Sequence, residues 1–218
     1  MLLSQEKNIL FVHIQRTGGS TLRKILTSAV PDMKPLMGSH PHISWVKPYL
    51  GSEWDRYYKF AFVRNPWERI LSWYTAVMRT QQGYIADWYR EVLVGGLPKN
   101  YLWTYVFNNS SNFEEFLLNC TDVLDDIDGR KSFAYNQLDY ISDENGEILV
   151  DFIGRYENYM HDLHQVFQNM GLDTKLLPHE WPSRHDHYSK YYNETTKQLV
   201  AERFARDIEF FGYEFEEM

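Results

Sequence analysis

The segment Asn8 to Ile14, NILFVHI, is a nearly continuous apolar run that stops abruptly at QRTGGS. A run without polar alternation suits a strand buried on both faces of a parallel sheet. Beyond the glycines, Leu22, Ile25, Leu26 and Ala29 fall at the spacing of one helix face, and Pro31 ends that helix. Strand, glycine loop and helix in this order confine the chain to an α/β architecture.

The same grammar recurs. Lys59 to Val63 reads as a second buried strand, followed by Arg64, an N-capping Asn65 and Pro66 at the first helical position. Trp67, Ile70, Leu71, Tyr74 and Met78 then form an apolar stripe. A third strand is expected at Ile148 to Ile153, after the turn signal DENG. A helix striped by Met160, Leu163, Phe167 and Met170 follows, with Gly171 as its C-terminal cap. One last helix is expected from Glu194 to Phe211. Alternating strands and helices imply a mainly parallel central sheet flanked by helices, with ligands at the carboxyl ends of the strands. Tyr84 to Thr121 reads as a mostly helical insertion over the acceptor side of a single domain spanning residues 1–218.

Net charge is −8, so a broad basic face for nucleic acid is not expected and any anion site must be local. No apolar run approaches the roughly 18 residues of a membrane span. The start MLLSQEKNILF lacks the layout of a secretory signal, which points to the cytoplasm. A lone cysteine, Cys120 in FLLNC, reads as a packed thiol. The glycosylation triplets at Asn108, Asn109, Asn119 and Asn193 would matter only in a secreted protein.

The loop Gln15 to Thr21 joins a buried strand to a helix, so first-turn amides and the helix dipole converge on one point that suits a phosphate. Gly18 and Gly19 admit close backbone approach, Ser20 and Thr21 offer hydroxyls, and Arg16 brings a permanent charge. The triphosphatase pattern G-x-x-x-x-G-K-[ST] is absent, since the cation precedes the glycines. That absence counts against an ATP-dependent phosphotransferase, which with a non-catalytic nucleotide-binding module remains a rival reading.

HIQRTGGSTL resembles the phosphosulfate loop of the Golgi-type carbohydrate sulfotransferases and their bacterial relatives, notably the heparan sulfate O-sulfotransferases. FVRNPWERILSWY resembles the same family's motif for the 3′-phosphate, and FIGRYENYMHDL and the C-terminal YYNETTKQLVAERFARDIEFFGYEF extend the likeness. The resemblance implies a three-layer fold like the P-loop kinases, with 3′-phosphoadenosine 5′-phosphosulfate (PAPS) as sulfuryl donor and no catalytic metal. The acceptor would be a hydroxyl of a glycan, lipid or small metabolite. It further implies that Arg16, Thr17, Gly18, Gly19, Ser20 and Thr21 hold the 5′ side of the nucleotide. Arg64 and Ser72 would clamp the 3′-phosphate, with Arg155 a further nucleotide contact. Arg16 stands where the family has a lysine that steadies the leaving oxygen. In GSHPHISWVKPYLG, His42 matches the segment carrying the family's catalytic histidine and is preferred as general base over His40.

Other candidates are weaker. His179, His185 and His187 in HEWPSRHDHY could chelate a metal but lack further ligands. Arg184, Tyr188 and Lys190 of the same stretch could cover the nucleotide. Trp88, Tyr89, Tyr101, Trp103 and Tyr105 are either an acceptor platform or core.

Overall fold

The computed structural model describes residues 1–81, 93–94, 97–98, 101–122, 124–177 and 186–217. In chain order they form β1 (Leu2–Ser4), β2 (Ile9–Val12), α1 (Gly19–Ala29), β3 (Lys34–Pro35), α2 (Ile43–Leu50), β4 (Tyr58–Val63), α3 (Pro66–Gln81), β5 (Leu93–Val94) and β6 (Leu97–Pro98). There follow α4 (Tyr101–Asn109), α5 (Phe113–Cys120), α6 (Leu138–Ile141), β7 (Phe152–Arg155), α7 (Tyr159–Asn169), α8 (Glu194–Arg203) and α9 (Ala205–Phe211). Contacts divide the chain into two compact units, Met1–Asn65 with Asn136–Arg184 and Pro66–Tyr135 with His185–Met218.

The first unit holds a five-stranded sheet in the order β3-β1-β2-β4-β7. β2, β4 and β7 run parallel, with Phe11 beside Phe60 and Ala61 beside Ile153, whereas β1 is antiparallel to both β2 and β3. The sheet is therefore mixed, which corrects the expectation of a mainly parallel one. The cause lies in QEKN, which reverses the chain between β1 and β2. Asp32 ties that turn, accepting from Ser4 Oγ at 2.5 Å, Gln5 N at 2.8 Å and Glu6 N at 3.0 Å. These bonds, the Glu6 amide foremost, hold the Asp32 carboxyl below its ordinary pKa.

Both sheet faces are buried, as the apolar runs require. Ile9, Phe11, Phe60 and Phe62 pack in one cluster with Leu22 and Leu26 of α1 and Leu163, Val166 and Phe167 of α7. On the alternate face Leu10, Val12, Ala61 and Val63 are fully buried. Each large side chain withdrawn this way contributes about 1.5–3 kcal/mol. α7 ends as its sequence predicts: Gly171 is left-handed at φ +65°, and Leu172 N donates to Phe167 O.

The third strand lies later than Ile148–Ile153. Ile148 makes only an isolated bridge with Ser142, and the strand proper starts at Phe152. Asp151 explains the delay, because its carboxylate rather than a main-chain carbonyl accepts the Lys59 N–H, at 2.7 Å. Its own N–H still donates to Lys59 O.

The second unit is mainly helical. α4 packs on α5, and α5 and α3 pack on α8. Aromatic rings fill it edge to face, including Trp73 and Phe116 against Phe133, and Phe113 against Tyr192. The expected single C-terminal helix is two, α8 and α9, broken at Phe204 (φ −110°, ψ 27°). The break keeps Phe204 and Phe211 buried while Asn193 and Thr196 close a reciprocal cap at the start of α8. Of the stretch 84–121, a short β5–β6 ladder, α4 and α5 are described. No helix among the described residues is long and apolar enough to cross a membrane.

Candidate functional site

β2 ends at Val12, and residues 13–18 lead into α1. Arg16 is left-handed at φ +68° and Gly18 at φ +86°, so the backbone doubles back twice before the helix begins at Gly19. A left-handed arginine costs about 1–2 kcal/mol. The turn exposes the Arg16 carbonyl to Arg64 Nη1, which donates to it at 3.2 Å. A bond to a charged donor is of the size needed to offset that cost, about 1.5–3 kcal/mol.

The glycines have a steric explanation in addition to the one read from sequence. A Cβ on Gly18 would lie 2.6 Å from Tyr159 Cε2, and one on Gly19 would lie 2.1 Å from His13 Cδ2. Tyr159 also donates its hydroxyl to Gly18 O at 2.9 Å. Burial pushes the Tyr159 phenol far above its ordinary range, so it stays a donor. Thr17 is buried, and its hydroxyl donates to Ile14 O at 3.0 Å, which braces the loop from within. Ser20 is exposed and Thr21 half-buried on the first turn of α1, where amides lack intrahelical acceptors. This is the N-terminal, positive end of an eleven-residue helix, a setting suited to an anion.

Arg64 stands at the end of β4 and is 3% exposed. Gln137, just ahead of α6, grips its peptide: Oε1 accepts from Arg64 N and Nε2 donates to Arg64 O, both at 2.8 Å. The guanidinium lies 3.9 Å from the Tyr156 ring centroid. The next amide, Asn65 N, donates to Glu157 Oε1 at 2.6 Å. Arg16 and Arg64, predicted from separate motifs, are thus brought together. Gln137, Glu157 and Tyr159, which tie the two loops down, were not singled out from sequence. Their partners lie 73, 92 and 141 residues away, so no local pattern marks them.

His42 sits just before α2, its ring stacked on Trp45 at 4.6 Å and tilted against Tyr140 of α6 at 4.7 Å. His40 is fixed differently. Its Nδ1 is 2.7 Å from His13 O, and since a carbonyl only accepts, Nδ1 carries the proton. Its Nε2 is then the basic nitrogen of the neutral ring. The His40 and His13 rings are 4.4 Å apart, and His13 in turn rests on Gly19.

The other sequence candidates fall as follows. Ser72 is buried on α3 in the second unit, and Arg155 is half-buried at the end of β7 with its amide bonded to Asp162 Oδ2 at 2.6 Å. Arg69 is a buried structural cation whose Nη1 donates to Tyr135 O. Trp103 is core and Tyr101 exposed, while Trp88 and Tyr89 lie outside the described residues. His179, Arg184 and His185 also lie outside them, and His187 Nδ1 is 2.9 Å from Ser189 Oγ. Tyr188 is buried, its hydroxyl accepting from Glu216 N. Lys190 reaches Asp186 at 3.7 Å. Cys120 is buried, which pushes its thiol pKa up. A cavity of about 510 Å³ opens beside Lys47, Trp54, Lys59 and Asp151. It lies at the starting end of β4, opposite Arg64.

Taken together, the first unit presents a helix N-terminus, an exposed hydroxyl and two arginines, a donor set suited to two separated anionic groups. A family model described as Sulfotransferase family matches residues 1–214. An uncharacterized protein of Archaeoglobus fulgidus is 27% identical over 136 residues, which cover 62% of this chain and 86% of that protein.

Proposed function

The chain belongs to the sulfotransferase family, and from that premise we propose that it transfers the sulfuryl group of PAPS to an acceptor hydroxyl. Family membership supports sulfuryl transfer, a sulfuryl donor, a hydroxyl-bearing acceptor and a P-loop-like fold in general terms. The finer reading rests on one observation above all: the Arg64 guanidinium, held in the first unit, donates to the carbonyl of Arg16 in the glycine loop. Two anion motifs so joined suit a nucleotide bearing phosphates at both its 5′ and 3′ positions.

The α1 N-terminus with Gly18, Gly19, Ser20 and Thr21 would hold the 5′-phosphate, and Thr17 keeps that loop in shape. Arg64 would take the 3′-phosphate, with Ser72 and Arg155 as further contacts to be tested by substitution. When bound, the nucleotide supplies an activated sulfuryl group. His42 would take the acceptor's proton, and Arg16 would stabilise negative charge at the departing phosphate. Arginine in place of the family's lysine keeps the charge but gives up an ammonium that can release a proton. A second assignment of the base is favoured by a specific contact, since the His40 tautomer is fixed by His13 O.

Transfer of labelled sulfate from PAPS across a panel of glycans, lipids and small hydroxyl compounds tests the reaction. Turnover lost in His42→Ala and retained in His40→Ala supports His42 as base. The reverse pattern moves the role to His40, and binding without turnover on any acceptor supports the non-catalytic alternative.

A further inference from the structure

We propose that Gln137 is the residue that positions Arg64 for anion binding. The idea rests on the reading of Arg64 as the 3′-phosphate ligand. It concerns how a residue remote from the ligand sets that arginine's aim.

The β4–β7 ladder ends at Val63 beside Arg155. One residue further on, the Arg64 peptide is beyond the ladder yet buried, so its N–H and C=O need partners. A single primary amide satisfies both, because Gln137 presents an acceptor and a donor side by side. This imitates the exchange of two bonds between paired residues of adjacent antiparallel strands. Gln137 is itself 0% exposed, so water does not compete for either bond. With its main chain locked, Arg64 launches its side chain in one direction. Tyr156 and the Arg16 carbonyl then hold the guanidinium at the far end. The arginine is therefore fixed at both ends before any nucleotide arrives, which lowers the ordering cost of binding.

α6, which follows Gln137, also carries Tyr140, whose ring meets His42. The four-residue helix and the residue at its N-cap thereby touch the candidate base and the arginine respectively. Glutamine is specific to this task. Glutamate would set a second acceptor against the Arg64 carbonyl, and methionine would fill the space with neither bond.

The test is a double-mutant cycle read by calorimetry with adenosine 3′,5′-bisphosphate. Gln137→Met is expected to weaken binding roughly tenfold in the otherwise unchanged protein, the scale on which partners of ligating groups act. In an Arg64→Ala background the same change should cost less than about twofold, because the residue acts through Arg64. Equal losses in both backgrounds, or no loss in either, would overturn the proposal. If Gln137→Met does not fold, Gln137→Asn, which keeps a neutral amide on a side chain one methylene shorter, carries the same comparison. Failure of the unchanged protein to bind the bisphosphate would instead sink the nucleotide reading. In that case the Arg64 Nε–Hε resonance, assigned by its loss in Arg64→Lys, decides the positioning claim. A resonance unmoved by Gln137→Met rejects it, and one that shifts and broadens sustains it.

Discussion

The two strand ends of the proposed nucleotide site would bind anions by different means. After β2 the candidate donors include the main-chain amides of the first helical turn, and the loop is shaped by glycines wedged against Tyr159 and His13. After β4 the donor is a side chain, Arg64, and the main chain beneath it is held by glutamine and glutamate side chains. A loop that binds through its backbone cannot be altered without altering its shape. A side-chain donor can be exchanged while the frame stays. Mutations in the first loop should therefore report stability, and mutations at the second should report affinity.

The largest effect is expected at Gly18. Gly18→Ala must overpack Tyr159 and hold alanine at φ +86°, which together should cost about 3 kcal/mol in chemical denaturation. A near-unchanged unfolding midpoint would break the comparison by showing that the loop has room. Next comes Arg64→Lys, which keeps a cation and loses the planar fork. Affinity for adenosine 3′,5′-bisphosphate should fall about tenfold with a much smaller change in melting temperature. A loss confined to melting would make Arg64 a structural residue like Arg69.

Tyr159→Phe sharpens the contrast, since it removes only the bond to Gly18 O and leaves the ring in place. About 1 kcal/mol of stability should be lost. The smallest effect is at Asp32, far from either loop. Its carboxyl is depressed by its bonds to Ser4, Gln5 and Glu6, so its stabilising contribution is complete above the ordinary value of 3.8 and is lost as pH falls below it. Denaturation of Asp32→Asn should therefore differ from the unchanged protein by less than about 1 kcal/mol at neutral pH, with the gap closing as pH falls below 3.8.

What was legible in the sequence was local. β2, α1, β4 and α3 follow from apolar runs and helical spacing within short windows, and both anion motifs sit at the junctions those windows predict. β1 escaped because three residues with a tight turn leave no period to read. Its antiparallel pairing is what makes the sheet mixed. ILVDFI reads as a strand from its first residue, whereas pairing begins at Phe152, because Asp151 substitutes a side-chain acceptor for a ladder carbonyl, a choice hydropathy does not register. Of the candidate site, the residues that stand out in sequence are the charged ones, Arg16 and Arg64, which the structure brings together. Gln137 and Tyr159 do not stand out, because a buried amide or phenol gains its role only from what the fold sets against it. For the same reason the histidines could be ranked from sequence only by resemblance. The contact between His40 Nδ1 and His13 O reopens that ranking with chemistry that no spacing displays.

The central claim is that the two strand ends form two phosphate subsites of one nucleotide. Parallel calorimetric titrations of the unchanged protein with adenosine 3′,5′-bisphosphate and with ATP plus magnesium test it most directly. Binding of the bisphosphate at least about tenfold tighter than ATP is the predicted result, as expected when a second charge-assisted site is engaged. Preference for ATP would contradict the account.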